Sequence, residues 1–153
     1  MNKKYELVVD DTITFWGWKL FRIKALISFG SVDAGDFGGY IHTEDNLSQE
    51  GDAWVSGNAK VWGDAEVSGD AEVSGDAKVS DLGDVIVFKN HWSSGRHFTY
   101  TKSNKMWKVG CFYGTGQELI DKAYQDNYKS GAYYKAYVEF VEKLEALDES
   151  KKP

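Results

Sequence analysis

Residues able to do chemistry fall into a few groups in this 153-residue chain. His91 and His97 flank Trp92-Ser93-Ser94-Gly95-Arg96, and His42 stands alone. An imidazole titrates near neutral pH, so each can act as a general base or a metal ligand. The pair lies on either side of a loop rather than along one strand face, which solvated hairpin side chains also explain. Gly114-Thr115-Gly116 follows a strand-like run and opens a helical one, where backbone amides can hold an anion. Leu119 stands where a dinucleotide fingerprint needs its third glycine, and no Lys-Ser or Lys-Thr follows. Thr115, with Glu118 three residues on, reads as a capping box that needs no ligand.

An acidic ladder recurs at every sixth position: Asp52, Asn58, Asp64, Asp70 and Asp76. Stacked carboxylates could bind calcium or imitate nucleic-acid phosphates. The plainer reading is that an Asp after Gly bonds its own corner backbone. Trp54 and Trp62 occupy positions where sister hexads carry Lys, Glu or Ser, so both are expected to point outward. An exposed Trp marks a contact surface; the seam of an oligomer or cover by an N-terminal hairpin are the alternatives. Lys102 and Lys105 bracket a basic turn that is a further contact candidate. The expected partner-binding set is Trp54, Trp62, Asp64, Glu66, Asp70, Glu72, Lys102 and Lys105, with no catalytic or metal-binding residue and no cofactor assigned.

The elements that must hold this ladder are five successive hexads, GDAWVS, GNAKVW, GDAEVS, GDAEVS and GDAKVS, over residues 51–80. Ala and Val sit two apart in each, so an extended strand turns both to one face. Gly-Asp and Gly-Asn supply tight corners, since Gly tolerates positive φ. Helical spacing of three and four is missing. Three hexads per coil would make a prism with Ala and Val inside. Ile41 and Leu47 extend the register upstream, and Val85 does so downstream.

Val55/Ala59, Val61/Ala65, Val67/Ala71 and Val73/Ala77 carry the aliphatic-x-x-x-small pattern, and the chain thereby resembles the hexapeptide-repeat left-handed β-helix proteins. The resemblance implies a mainly β fold: a short left-handed parallel β-helix over 32–88, an N-terminal β hairpin cap over 1–31, and a C-terminal α+β module over 89–153 with a hairpin and two helices. Many such proteins are acyltransferases and some bind zinc through three His. Here the hexads contain no His and no long loop interrupts them, so a His91- or His97-based acyltransferase is the alternative reading. Tyr5–Leu7, Arg22–Leu26, Gly38–Ile41 and Asn46–Ser48 also resemble the leader of small bacteriophage hypothetical proteins that carry this repeat. That likeness implies a phage setting and an unidentified host protein as partner, for example a nuclease of a CRISPR or other defence system, inhibited by nucleic-acid mimicry. A structural phage assembly component is a third reading.

Charge is uneven. Residues 33–84 hold 2 basic and 13 acidic groups, a balance of −11, within a chain whose formal net charge is −6. Such a field repels nucleic acid and attracts a basic protein surface. One cysteine, Cys111, rules out an internal disulfide and suits a reducing compartment. No apolar run approaches eighteen residues, which excludes a membrane-spanning helix. The expectation is a cytoplasmic homo-oligomer, dimer or trimer, with no membrane contact. Helices are expected from Thr115 and over 131–147, the second capped by Ser130, with a frayed tail over 149–153.

Overall fold

Trp16 and Gly17 both have positive φ, 49° and 84°, the geometry of a two-residue turn that matches strand twist. They join β1 (Tyr5–Phe15) to β2 (Trp18–Ala25) as an antiparallel hairpin. In this computed structural model, which describes residues 3–150, the register shifts between Val8 and Thr12, and Asp11 there reaches Arg22 Nε at 3.1 Å. β2 pairs antiparallel with β3 (Phe37–Ile41), and β3 pairs parallel with a strand of the repeats.

The repeats form four strands of two residues each: β4 (Trp54–Val55), β5 (Lys60–Val61), β6 (Glu72–Val73) and β7 (Lys78–Val79). Partners lie eighteen apart, Val55 on Val73 and Val61 on Val79, and a single bridge joins Leu47 to Val67. The period-two reading of the hexads holds at the level of side chains. Every Ala and Val of the five hexads is at most 3% exposed. Corners require glycine twice over: Gly51 has φ of 70°, and a Cβ there would meet Gly69 O at 2.7 Å.

The left-handed parallel β-helix expected over 32–88 is nevertheless not what the chain forms. The sheets are a mixed five-stranded one, β1-β2-β3-β5-β7, an antiparallel four-stranded one and the two-stranded pair β4-β6. Parallel pairing is confined to two-residue ladders. The physical reason lies at the edges. Thirty residues of clean repeat give each short strand one partner from the same tract, and unpaired edges must be satisfied by something else. On one side the hairpin closes the edge through β3. On the other, Glu72 N donates to Thr99 Oγ1 at 3.0 Å, Lys78 N to Ser103 Oγ at 2.8 Å and Ser80 N to Asp84 Oδ2 at 3.0 Å, so the ladder ends. Tyr5, Ile23 and Ala25 of the hairpin share one core with the repeats.

Beyond the repeats, β8 (Val85–Lys89), β9 (His97–Thr101), β10 (Met106–Val109) and β11 (Phe112–Thr115) make an antiparallel meander. A turn at Gly110, with φ of 54°, separates β10 from β11. Helix α1 (Gly116–Asp126) starts at the expected box: Glu118 N donates to Thr115 Oγ1 at 3.2 Å, and Thr115 N to Glu118 Oε1 at 2.9 Å. Helix α2 (Tyr128–Ser150) begins earlier than expected. Asn127 Oδ1 accepts from Ser130 N at 2.8 Å, while Ser130 Oγ accepts from Trp92 Nε1 at 3.1 Å instead of capping. Of the expected frayed tail, residues 151–153 lie outside the described residues. α1 and α2 pack on the meander through Phe98, Tyr100, Trp107, Leu119, Tyr134, Val138 and Val141.

Burial raises four phenols above their usual value: Tyr5 and Tyr100, helped by Glu44 and Glu145 respectively, and Tyr113 and Tyr134, where Asn104 and Asn90 oppose the shift. A phenol that stays neutral in the folded state stabilises it fully below about pH 10 and loses that contribution as pH rises further. Lys4, lowered by burial, works in the opposite direction. Four groups outweigh one, so denaturant midpoints should fall between about pH 9 and pH 11. A midpoint that holds steady or rises across that span contradicts the burial assignments.

Candidate binding face and cleft

The corner backbone settles what the acidic ladder is not. Four of the five corners close on themselves through an alanine amide: Ala59 N donates to Ser56 O at 3.3 Å, Ala65 N to Trp62 O at 3.3 Å, Ala71 N to Ser68 O at 3.1 Å and Ala77 N to Ser74 O at 3.4 Å. The Asp side chain is left with nothing local to bond. Asp52, Asp64 and Asp76 make no hydrogen bond or ion pair among the described residues and are exposed. The expectation that these carboxylates serve their own corners is overturned.

Of the 13 acidic residues in 33–84, only Glu44 and Asp70 lie within ion-pair distance of a basic side chain among the described residues. Glu44 holds Lys3 at 3.1 Å, and that contact keeps its carboxyl below the usual range. Asp70 Oδ2 meets His97 Nδ1 at 2.8 Å. Asp64 and Glu66 are exposed.

Where the loop before β3 meets β4, β6 and β10, three acids converge on a cleft of about 290 Å³. Asp36 comes from the loop, Asp52 from a corner and Glu72 from β6, with Lys108 of β10 as the one cation and Trp54 in the wall. Ser56 Oγ donates to Ser74 Oγ at 3.0 Å across the same wall. Burial pushes the Glu72 carboxyl up; Lys108 pulls it down, and Asp52 and Asp70 add to the rise. The Lys108 ammonium donates to Gly110 O at 2.6 Å and forms no ion pair among the described residues, so the three acids can receive a further cation, such as the side chain of a partner's Lys or Arg. Sequence spacing does not reveal this cleft, because its walls come from four separate stretches.

Other expected contacts are used internally. Trp54 and Trp62 are 6% and 8% exposed, not outward-facing. Trp54 lies edge-on to Phe29 and Tyr5, with ring centroids at 5.3 and 6.3 Å. Trp62 packs with Leu20, Tyr40 and Phe15. Both point away from the repeat interior, but the hairpin and its following loop cover them, so they offer no seam for an oligomer. Lys102 and Lys105 are held by α2, through Asp148 and Glu145, each at 2.9 Å. Burial raises the Glu145 carboxyl, but Tyr100 and Lys105 outweigh it and hold it low. The exposed tryptophans are instead those of the hairpin turn: Trp16, 82% exposed and stacked on Phe15, and Trp18, 37% exposed.

The histidines do not meet. His42 lies against Trp18, His91 against Trp92 and Tyr133, and His97 against Asp70. An Asp-oriented imidazole can act as a base, but no serine or cysteine is hydrogen-bonded to His97 among the described residues. No group of three His, Cys, Asp or Glu side chains there is arranged to hold a metal ion. No helix among the described residues is long and apolar enough to cross a membrane.

No protein-family model and no curated protein matches this chain. The resemblance to hexapeptide-repeat proteins thus has neither the sheet topology nor a family match behind it. The phage and anti-defence setting drawn from the likeness of the leader segments has no support either.

Proposed function

We propose that this chain is a non-catalytic binding protein that presents the acid-rich surface of residues 33–84 to a basic surface on another protein. The observation that carries the reading is the set of corner carboxylates, Asp52, Asp64 and Asp76, exposed and unpaired. Asp52, Asp76 and Asp64 precede three different ladders, Val55 on Val73, Val61 on Val79 and Leu47 on Val67, so the buried Val/Ala core spreads the carboxylates around the repeats. A preset field of one sign speeds encounter and selects partners of the opposite sign. The cleft at Asp36, Asp52 and Glu72 gives that surface a recess for a protruding cation.

The test begins with capture of a partner by the immobilised chain and continues with its affinity across a salt series. Affinity should fall steeply and log-linearly with ionic strength, because exposed charges are screened over about 8–10 Å at physiological salt. The double change Asp64→Lys with Asp76→Lys should weaken binding about tenfold while leaving the melting temperature within a few degrees. Affinity that ignores salt, or that survives both reversals unchanged, rejects the acid-rich surface as the binding site.

A further inference from the structure

We propose that the C-terminal module holds a second site, a cleft of about 300 Å³ that takes a small organic carboxylate with an apolar body. It lies between the β10–β11 turn and α1, shares no lining residue with the acidic cleft, and does not rest on the reading given above. Its floor is apolar: Leu119 and Ala123 of α1, 3% and 4% exposed, with Phe112 and the ring of Tyr134. The Tyr134 hydroxyl is already engaged, accepting from Asn90 Nδ2 at 3.1 Å, so the ring offers mainly its hydrocarbon.

Two cations stand at the mouth. Arg96 and Lys122 line the cleft, and neither side chain makes a hydrogen bond or ion pair among the described residues. The Arg96 head is placed over the turn, since a Cβ added at Gly110 would meet its Nη1 at 3.4 Å. Asp126 is the one acid at the rim, leaving a surplus of one positive charge. A guanidinium is built to grip a carboxylate through two parallel hydrogen bonds. An apolar floor beneath two unengaged cations therefore selects a ligand with a charged head and a greasy tail. Inorganic phosphate would leave the floor uncovered. The volume sits at the lower end of the roughly 300–1,000 Å³ typical of small-molecule sites, which limits the occupant to a short chain or a single ring system.

Cys111, exposed and the only cysteine of the chain, lines the same cleft and reports on its occupancy. The experiment measures alkylation of the full chain by iodoacetamide, an uncharged reagent, with sodium octanoate or octanol added. Calorimetric titration of octanoate runs in parallel. Octanoate should bind and slow alkylation several-fold at saturation, octanol should do neither to a comparable degree, and Arg96→Gln should weaken octanoate binding about tenfold. Arg96 is exposed, so that variant folds as the parent does. Absence of octanoate binding, equal protection by octanol, or undiminished affinity in Arg96→Gln would each overturn the assignment.

Discussion

Replacing Trp107 by alanine lowers the unfolding free energy by about 3–5 kcal/mol, the cost of emptying a large aromatic site in a packed core. Trp107 is 2% exposed on β10 and forms the centre of the C-terminal cluster. Its ring lies 4.8 Å from Tyr100 and 6.1 Å from both Phe88 and Phe98. α1 starts directly over it, since a Cβ at Gly116 would come within 3.3 Å of Trp107 Nε1. Alanine leaves those rings with no partner on one side, and the strand and helix backbones on either side cannot close the gap. For a chain of this size the melting temperature should drop by roughly 6–20 °C. Tyr128→Ala, at a position 78% exposed, is the internal control and should stay within about 0.5 kcal/mol of the parent. A Trp107→Ala loss under about 1 kcal/mol would mean that the meander and helices do not share a core around this ring.

The inward half of the repeats was legible because strand alternation is strict: with Ala and Val two apart, burying one buries the other. The corner glycines were legible for a similarly local reason. What the hexads could not disclose is how their edges end. Thr99 and Ser103 take the amides of Glu72 and Lys78 only after the meander has folded back, and that fold-back separates a set of short ladders from a continuing coil. The outward side failed by the same logic. Trp54 does point away from the repeat core, but pointing outward is not exposure when Phe29 and Tyr5 lie over the ring. Apolar Phe15, Leu20 and Phe29 in the leader were the available signal, since hairpin residues of that kind need something to cover. Lys102 and Lys105 look free in the sequence, and their carboxylates at Asp148 and Glu145 lie more than thirty residues away on another element. Charge density, by contrast, transfers directly from sequence to surface, so the acid-rich surface was visible early and its cleft was not.

Lys4→Ala costs about 2–5 kcal/mol, and the loss has two separable parts. A lysine near a chain end is ordinarily solvated, but Lys4 is 2% exposed. Its stem fills space beside the hairpin, and its ammonium sits 4.8 Å from the centre of the Phe29 ring. Nζ donates to Ala53 O at 2.6 Å, Gly51 O at 3.3 Å and Glu50 O at 3.4 Å, fastening the hairpin to the first repeat corner. Lys4→Met keeps most of the volume and removes the donor, so it should recover the packing share but leave Ala53 O unpaired, costing about 1–3 kcal/mol. The pH dependence gives a second, independent sign. Burial lowers the Lys4 value and Asp52 opposes that shift. Between the lowered folded value and 10.5 the unfolded chain binds more protons, so Lys4 makes stability rise with pH there. Lys4→Met deletes that rise while the tyrosines keep their opposite contribution. The variant's stability should therefore fall more steeply than the parent's as pH approaches about 10. Parallel curves for the two proteins, or a Met variant as stable as the parent at neutral pH, would show that the ammonium does not fasten the hairpin to the repeats.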